Sequence, residues 1–192
     1  MMADGGLRIA NYGMKLSERM ASESAIHNPQ SAIISLGSNL GDSPAILRQA
    51  MARLQEFSDL PLRKSSLWQT TPVDCPPDSP MFINAVAVLV PPARETPESL
   101  LTKLQSLEKE FGRNPRTIRN EPRPLDLDLI AFGSQTRHTA TLTLPHPRAS
   151  RRRFVLQPLC EIAPDYVLPG QSRTAAELLE LLPKDEMIRR LG

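Results

Sequence analysis

Between Pro122 and Ile130 the chain reads Pro-Arg-Pro-Leu-Asp-Leu-Asp-Leu-Ile, and the strict alternation of leucine with aspartate limits the fold more than any other stretch. A period of two belongs to a β-strand with one buried face, because successive side chains leave opposite sides of the pleat. Leu125, Leu127 and Leu129 are therefore expected in a core, with Asp126 and Asp128 together on the opposite face. Two residues at about 3.3 Å each would put the aspartate Cα atoms roughly 6.6 Å apart. Carboxylates that close repel unless a proton or a cation lies between them. Two readings fit the pair by itself. One is a solvated outer face; the other is a site for magnesium, which takes one or two carboxylates and completes its shell with water and phosphate oxygens.

Local charge favours the second reading. From Arg113 to Arg153 there are nine arginines and no lysine, against only Glu121, Asp126 and Asp128, an excess of six positive charges in a protein whose net charge is +2. Arginine without lysine suits forked recognition of phosphate better than diffuse attraction. Two carboxylates among guanidinium groups therefore point to a metal-bridged polyphosphate. Arg137 reads as ordinary surface charge. The run Gly37-Ser38-Asn39-Leu40-Gly41-Asp42-Ser43 lacks the lysine of a phosphate-binding P-loop, so triphosphate binding would rest on the aspartates and arginines.

The remaining pattern predicts one catalytic domain over residues 31–192 behind a flexible extension, 1–30, with a weak amphipathic helix near Met14–Met20. With 192 residues, 40% of them apolar, one sizeable core is expected. Cys75 and Cys160 are far apart with no CxxC spacing, so they read as reduced thiols in a cytoplasmic protein. No apolar run approaches the ~20 residues of a membrane span. Ala32–Leu36 predicts a buried strand, Asp42 or Ser43 caps a helix carrying Leu47 and Leu54, and Leu62–Thr70 predicts a second strand. Four prolines between Thr71 and Pro80 make a loop. Phe82–Val90 is a strand, Thr96 caps a helix from Pro97 to Phe111, and Leu125–Phe132 is the aspartate strand. A turn at Gly133-Ser134 suggests a hairpin returning through Thr141–Leu144, followed by helices near Phe154–Leu159 and Thr174–Leu182. The order predicts an α+β sandwich, with helices packed on one face of a mainly antiparallel sheet.

Taken in order, Gly37-Ser38-Asn39-Leu40-Gly41, Phe82-Ile83-Asn84-Ala85, Gly112-Arg113, Pro122-Arg123-x-x-Asp126-x-Asp128, and Pro145-His146-Pro147 ending in Arg152-Arg153-Phe154 resemble the 6-hydroxymethyl-7,8-dihydropterin pyrophosphokinase family. The resemblance covers about residues 31–182. It implies a ferredoxin-like α+β fold, two magnesium ions, and transfer of the β,γ-diphosphate of ATP to the pterin alcohol with release of AMP. It also implies metal ligands at Asp126 and Asp128 and catalytic arginines at Arg113 and Arg123. Phe82 and Phe154 would sandwich the pterin, with Thr71, Val73, Asp74 and Asn84 around it. Gln105, Glu108, Arg116, Leu129, Thr143, His146 and Arg152 would lie on the nucleotide side.

The residues themselves suit these roles, since flat pterins stack on phenylalanine and their amide edge needs the donors and acceptors of Thr71 and Asn84. Two departures fall in one loop. Many members carry Trp-Gly where Asn120-Glu121 stands, and several place a basic residue at the position of Pro115, so Arg116 would substitute. Segments 73–80 and 113–122 are expected to be mobile and to order around substrates. ATP and the pterin are the expected partners of a monomer, with neither nucleic acid nor membrane. An RNA-binding module would share a ferredoxin-like sheet and basic surface, but only 4% of this chain is aromatic and the aspartates would repel a phosphate backbone. A metal-dependent phosphohydrolase using the same two aspartates is the other alternative.

Overall fold

The structure is a computed structural model that describes residues 28–113 and 121–192. The expected helix near Met14–Met20 lies outside the described residues, as does most of the 113–122 loop. Three long strands form the centre: β1 (Ala32–Ser38), β4 (Phe82–Leu89) and β5 (Asp126–Phe132). Short strands β3 (Trp68–Thr70) and β8 (Ile188–Arg190) extend the sheet in the order β5-β1-β4-β3-β8, and β2 (Arg63–Lys64) also pairs with β4. Every pairing in this sheet is antiparallel. The α+β class and the antiparallel sheet expected from the sequence are both present.

Four helices among the described residues cover the sheet, and they occupy both faces rather than one. Helix α1 (Ser43–Leu54) and helix α2 (Pro97–Glu110) pack Leu47, Leu54, Leu100 and Leu104 against Ile34, Leu36, Ala85 and Leu127. Helix α3 (Arg153–Ile162) and helix α4 (Ala175–Leu181) pack Val155, Leu159 and Leu178 against Ile33, Val86, Val88 and Ile130. The reason lies in β1 and β4, which are apolar on both sides and buried at every position. Each side therefore needs a cover. The helix starts follow their capping residues. Asp42 accepts from the Ala45 N–H at 3.1 Å, and Thr96 and Thr174 form capping boxes with Ser99 and Glu177.

Strand β5 changes character along its length. Leu129 pairs with Ile34 and Ala131 with Ile33, so Ile130 is the extra residue of a β-bulge. Before the bulge, Leu127 and Leu129 face α1 and α2; after it, Ile130 and Ala131 enter the core under α3 and α4. That second face is thus roofed at one end only, and the uncovered end carries the aspartates.

Several short elements differ from expectation. The strand expected over Leu62–Thr70 is broken into β2 and β3, because Ser65 takes over the pairing with Val86 through its own N–H at 2.9 Å and its hydroxyl at 3.0 Å. The segment after Gly133 forms β6 (Arg137–His138) with β7 (Thr143–Leu144) as a separate two-stranded sheet, instead of a hairpin on β5. Strand β8 was not expected from the sequence.

Candidate active site

Directly opposed residues on antiparallel strands share a face. Gly37 of β1 lies opposite Asn84 of β4 on one side and Asp126 of β5 on the other, and Ser35 lies opposite Asp128. Phe82, two residues before Asn84, joins the same face, as does Thr70, its partner on β3. Ser35, Gly37, Phe82, Asn84, Asp126 and Asp128 floor a cleft of about 730 Å³, counted to its open mouth. Gly37 keeps the floor low. A Cβ there would lie 3.1 Å from Asn84 Oδ1, 3.8 Å from Phe82 Cδ1 and 3.9 Å from the Asp126 Cβ.

The arginines converge on the two carboxylates. Asp126 Oδ1 takes Arg113 Nη1 at 2.9 Å, its Oδ2 takes Arg123 Nη2 at 3.0 Å, and Asp128 Oδ2 lies 3.6 Å from Arg152 Nη1. Asp128 lies on the cleft floor, where desolvation first, and then the charge of Asp126, pushes its carboxyl above the usual range. The 36% of its side chain still open to solvent moderates that push.

Arg123 and Arg113 are each held from behind. Arg123 forms a reciprocal clamp with Asn39, whose N–H donates to the Arg123 carbonyl at 3.1 Å and whose Oδ1 accepts the Arg123 N–H at 2.9 Å. The Asn39 side-chain amide also donates to the Pro80 carbonyl at 3.4 Å, tying the arginine to the segment that leads into Phe82. Arg113 donates its N–H to the carbonyl of Glu108 at 3.0 Å and pairs its guanidinium with the Glu108 carboxylate. The same carboxylate oxygen accepts the N–H of Leu127, between the two aspartates, at 2.7 Å.

Phe82 and Phe154 both line the cleft, with Arg123 5.5 Å from the Phe82 ring centroid and Arg152 5.1 Å from that of Phe154. Guanidinium groups at such distances favour the ring face. Asn84 donates to Thr70 Oγ1 at 2.8 Å, which fixes the orientation of its amide. Val73 and Asp74 complete one wall, the latter with a left-handed φ of 55°.

Asp126, Asp128, Arg123, Arg152, Val73, Asp74, Phe82, Asn84 and Phe154 therefore meet around one cleft, and Arg113 reaches it through Asp126. Other expected residues lie elsewhere. Thr71 is beside the cleft wall, its N–H donating to the Met187 carbonyl at 3.2 Å. Gln105 is exposed on α2. Glu108 is buried beneath the floor. The side chain of Leu129 is in the core under α1 and α2. Thr143 begins β7. His146 is docked to β5 by its N–H, which donates to the Ile130 carbonyl at 2.8 Å. Burial lowers its pKa against an opposing pull from Asp128. Its Nδ1 accepts from the Arg148 N–H at 3.3 Å, which places the ring proton of the neutral form on Nε2. Arg116 lies outside the described residues.

Ser35, Gly37, Cys75 and Arg148 also line the cleft and were not assigned to a site from the sequence. Gly37 carried a signal: a glycine inside a strand, where glycine weakens pairing, implies close approach of something else. Magnesium suits this donor set. Two carboxylates project from one strand face into an open cleft, and among the described residues no third His, Cys, Asp or Glu closes an all-protein cage. Magnesium bound with phosphate needs no such cage.

Residues 33–164 match the family described as 7,8-dihydro-6-hydroxymethylpterin-pyrophosphokinase (HPPK). The 2-amino-4-hydroxy-6-hydroxymethyldihydropteridine pyrophosphokinase of Synechocystis is 39% identical over 152 residues, which cover 78% of this chain and 74% of the relative. The protein of the same description from Pseudomonas aeruginosa is 38% identical over 167 residues, covering 85% of this chain and 98% of its own length. Among solved structures, the HPPK-DHPS of Plasmodium falciparum with pteroate superposes at a TM-score of 0.61 with 14% identity, over 78% of this chain and 44% of that one. That likeness concerns the fold alone. The family match over most of the sheet and its helices, together with relatives 38% and 39% identical that are covered to 98% and 74% of their own lengths, establishes that the chain belongs to the HPPK family.

Proposed function

We propose that the chain transfers the β,γ-diphosphate of ATP to the hydroxymethyl group of 6-hydroxymethyl-7,8-dihydropterin, releasing AMP, as a step of folate biosynthesis. The observation that carries this reading is the convergence of Asp126 and Asp128 with Arg113, Arg123 and Arg152 beside a pair of phenylalanines, all at the uncovered end of one sheet face. The chain would act in the cytoplasm as a monomer. Among the described residues no helix is long and apolar enough to cross a membrane.

The reaction forms a bond from the hydroxymethyl oxygen to the β-phosphorus and breaks the bridge between the α- and β-phosphates. Positioning and charge stabilisation dominate such transfers. Phe82 and Phe154 would hold the pterin between their faces, with Asn84 at its polar edge. Asp126 and Asp128 would hold two magnesium ions, which supply charge neutralisation for the triphosphate and orient attacking and leaving oxygens. Arg113 and Arg123 both pair with Asp126. With nucleotide present they would turn to the phosphate oxygens and stabilise charge as it moves toward AMP. Asn39 and Glu108 would keep their anchors in place.

Incubation with ATP, magnesium and the hydroxymethyl-dihydropterin should yield AMP, and ATP with magnesium alone should not. AMP formed equally without the pterin would identify a phosphohydrolase instead. Asp128→Asn is a clean probe, because the ion pair of Asp128 with Arg152 is long, at 3.6 Å. It should lower turnover by roughly 10²–10³-fold. A folded variant working at the wild-type rate would remove Asp128 from the metal site.

A further inference from the structure

We propose that Arg148 is a further phosphate-binding residue of this cleft, its guanidinium taking oxygens of the nucleotide triphosphate on the side of Asp128. The inference rests on the transferase reading above and adds a residue to it. Arg148 is exposed and lines the cleft together with Asp128 and Arg152.

Its backbone is firmly placed. The Arg148 N–H donates to His146 Nδ1, while the His146 N–H is bonded to the carbonyl of Ile130, two residues beyond Asp128. On the other side, the Arg148 carbonyl accepts from the Arg151 N–H at 3.1 Å, closing a short 3-10 turn whose Ala149 is 1% exposed in the core. The side chain therefore starts from a turn fastened to the aspartate strand itself.

Charge supplies the second argument. Arg113 and Arg123 are matched by Asp126 and Glu108, and Arg152 by Asp128 at 3.6 Å. Among the described residues Arg148 has no ion pair with a carboxylate. Arg148 and Arg152 line the same cleft, so two guanidinium groups are gathered at one concave site. Like charges gathered at a concave site focus a positive potential there and raise the local concentration of anions. Arginine is also the side chain best shaped to grip phosphate oxygens in pairs. A polyphosphate brings enough negative charge to satisfy Arg148 without taking Arg152 from Asp128.

The test compares Arg148→Ala, Arg148→Lys and Arg151→Ala in the full chain. Arg151 is an exposed neighbour that does not line the cleft. Binding of magnesium α,β-methylene-ATP is measured by calorimetry, and KM for ATP and for the pterin by AMP release. Arg148→Ala should weaken the analogue about 10- to 100-fold, the scale of losing hydrogen bonds to a charged group. The pterin KM should stay within about twofold, Arg148→Lys should fall between, and Arg151→Ala should match wild type. Analogue binding unchanged in Arg148→Ala overturns the proposal, and so does an equal loss in Arg151→Ala, which would mean a diffuse field. Because the analogue cannot react, this readout holds even if AMP assays defeat the transferase reading.

Discussion

Replacing Glu108 with glutamine should remove a pH dependence of stability that the wild-type chain carries between about pH 5 and pH 7. Only 8% of the Glu108 side chain is exposed, and its carboxylate is shared between the Leu127 N–H and Arg113. Burial dominates and pushes its carboxyl up to about 7 from an ordinary 4.5; the Leu127 N–H and Arg113 oppose that rise, and Asp126 and Asp128 add to it. A carboxyl raised in this way stabilises the fold while it keeps its proton. The contribution is complete below the unfolded value of 4.5 and is lost as the pH climbs through about 7. The gap between 4.5 and about 7, at about 1.4 kcal/mol per pH unit, comes to about 3 kcal/mol. Urea unfolding followed through Trp68, the only tryptophan, measures it at a series of pH values. Between pH 5 and pH 8 the wild type should lose about 2–3 kcal/mol more than Glu108→Gln does. Parallel losses in the two proteins would refute the reasoning. Glu108 would then be ionised throughout, with the pull of Arg113 outweighing burial.

Gly37→Ala should raise the pterin KM by about 10-fold or more, because the new methyl crowds the Asn84 amide at 3.1 Å while Thr70 holds that amide in place; steady-state kinetics check it, and an unchanged KM would mean that the substrate does not reach the floor. Asn39→Ala should cost about 1–3 kcal/mol by stranding the Arg123 N–H, and should lower kcat beyond any loss in folded fraction. Circular dichroism alongside AMP release separates the two effects. Gly133→Ala should destabilise by at least about 1–3 kcal/mol, since Gly133 has φ +50° and an added Cβ would fall 1.9 Å from the Pro29 carbonyl oxygen. Denaturant midpoints test this; an alanine variant as stable as wild type would show that residues 28–31 detach from the body at little cost.

Local rules were written plainly in the sequence. The Leu-Asp alternation placed Asp126 and Asp128 on one face, and their burial pattern follows it. Asp42, Thr96 and Thr174 started their helices where capping chemistry requires. The concentration of arginine around the aspartates could be counted from the sequence, because charge excess is a property of composition. Ordered motifs spread along the chain identified the family.

Other features depended on contacts between distant parts of the chain. Runs such as Phe82–Leu89 are apolar at consecutive positions, so periodicity alone could not say that both faces of the sheet would be roofed. The bulge at Ile130, which puts Ala131 beside it in the core under α3 and α4, exists only through pairing with β1. Asn39 and Arg123 are 84 positions apart, and nothing local marks one as the clamp of the other. Glu108 is expected on the nucleotide side from the resemblance, and only the fold lays Leu127 and Arg113 against it and buries it beneath the floor. Spacing along the backbone sets which way neighbouring side chains point. Which distant group they meet, and how much water is left between them, is decided only when strands and helices close on one another.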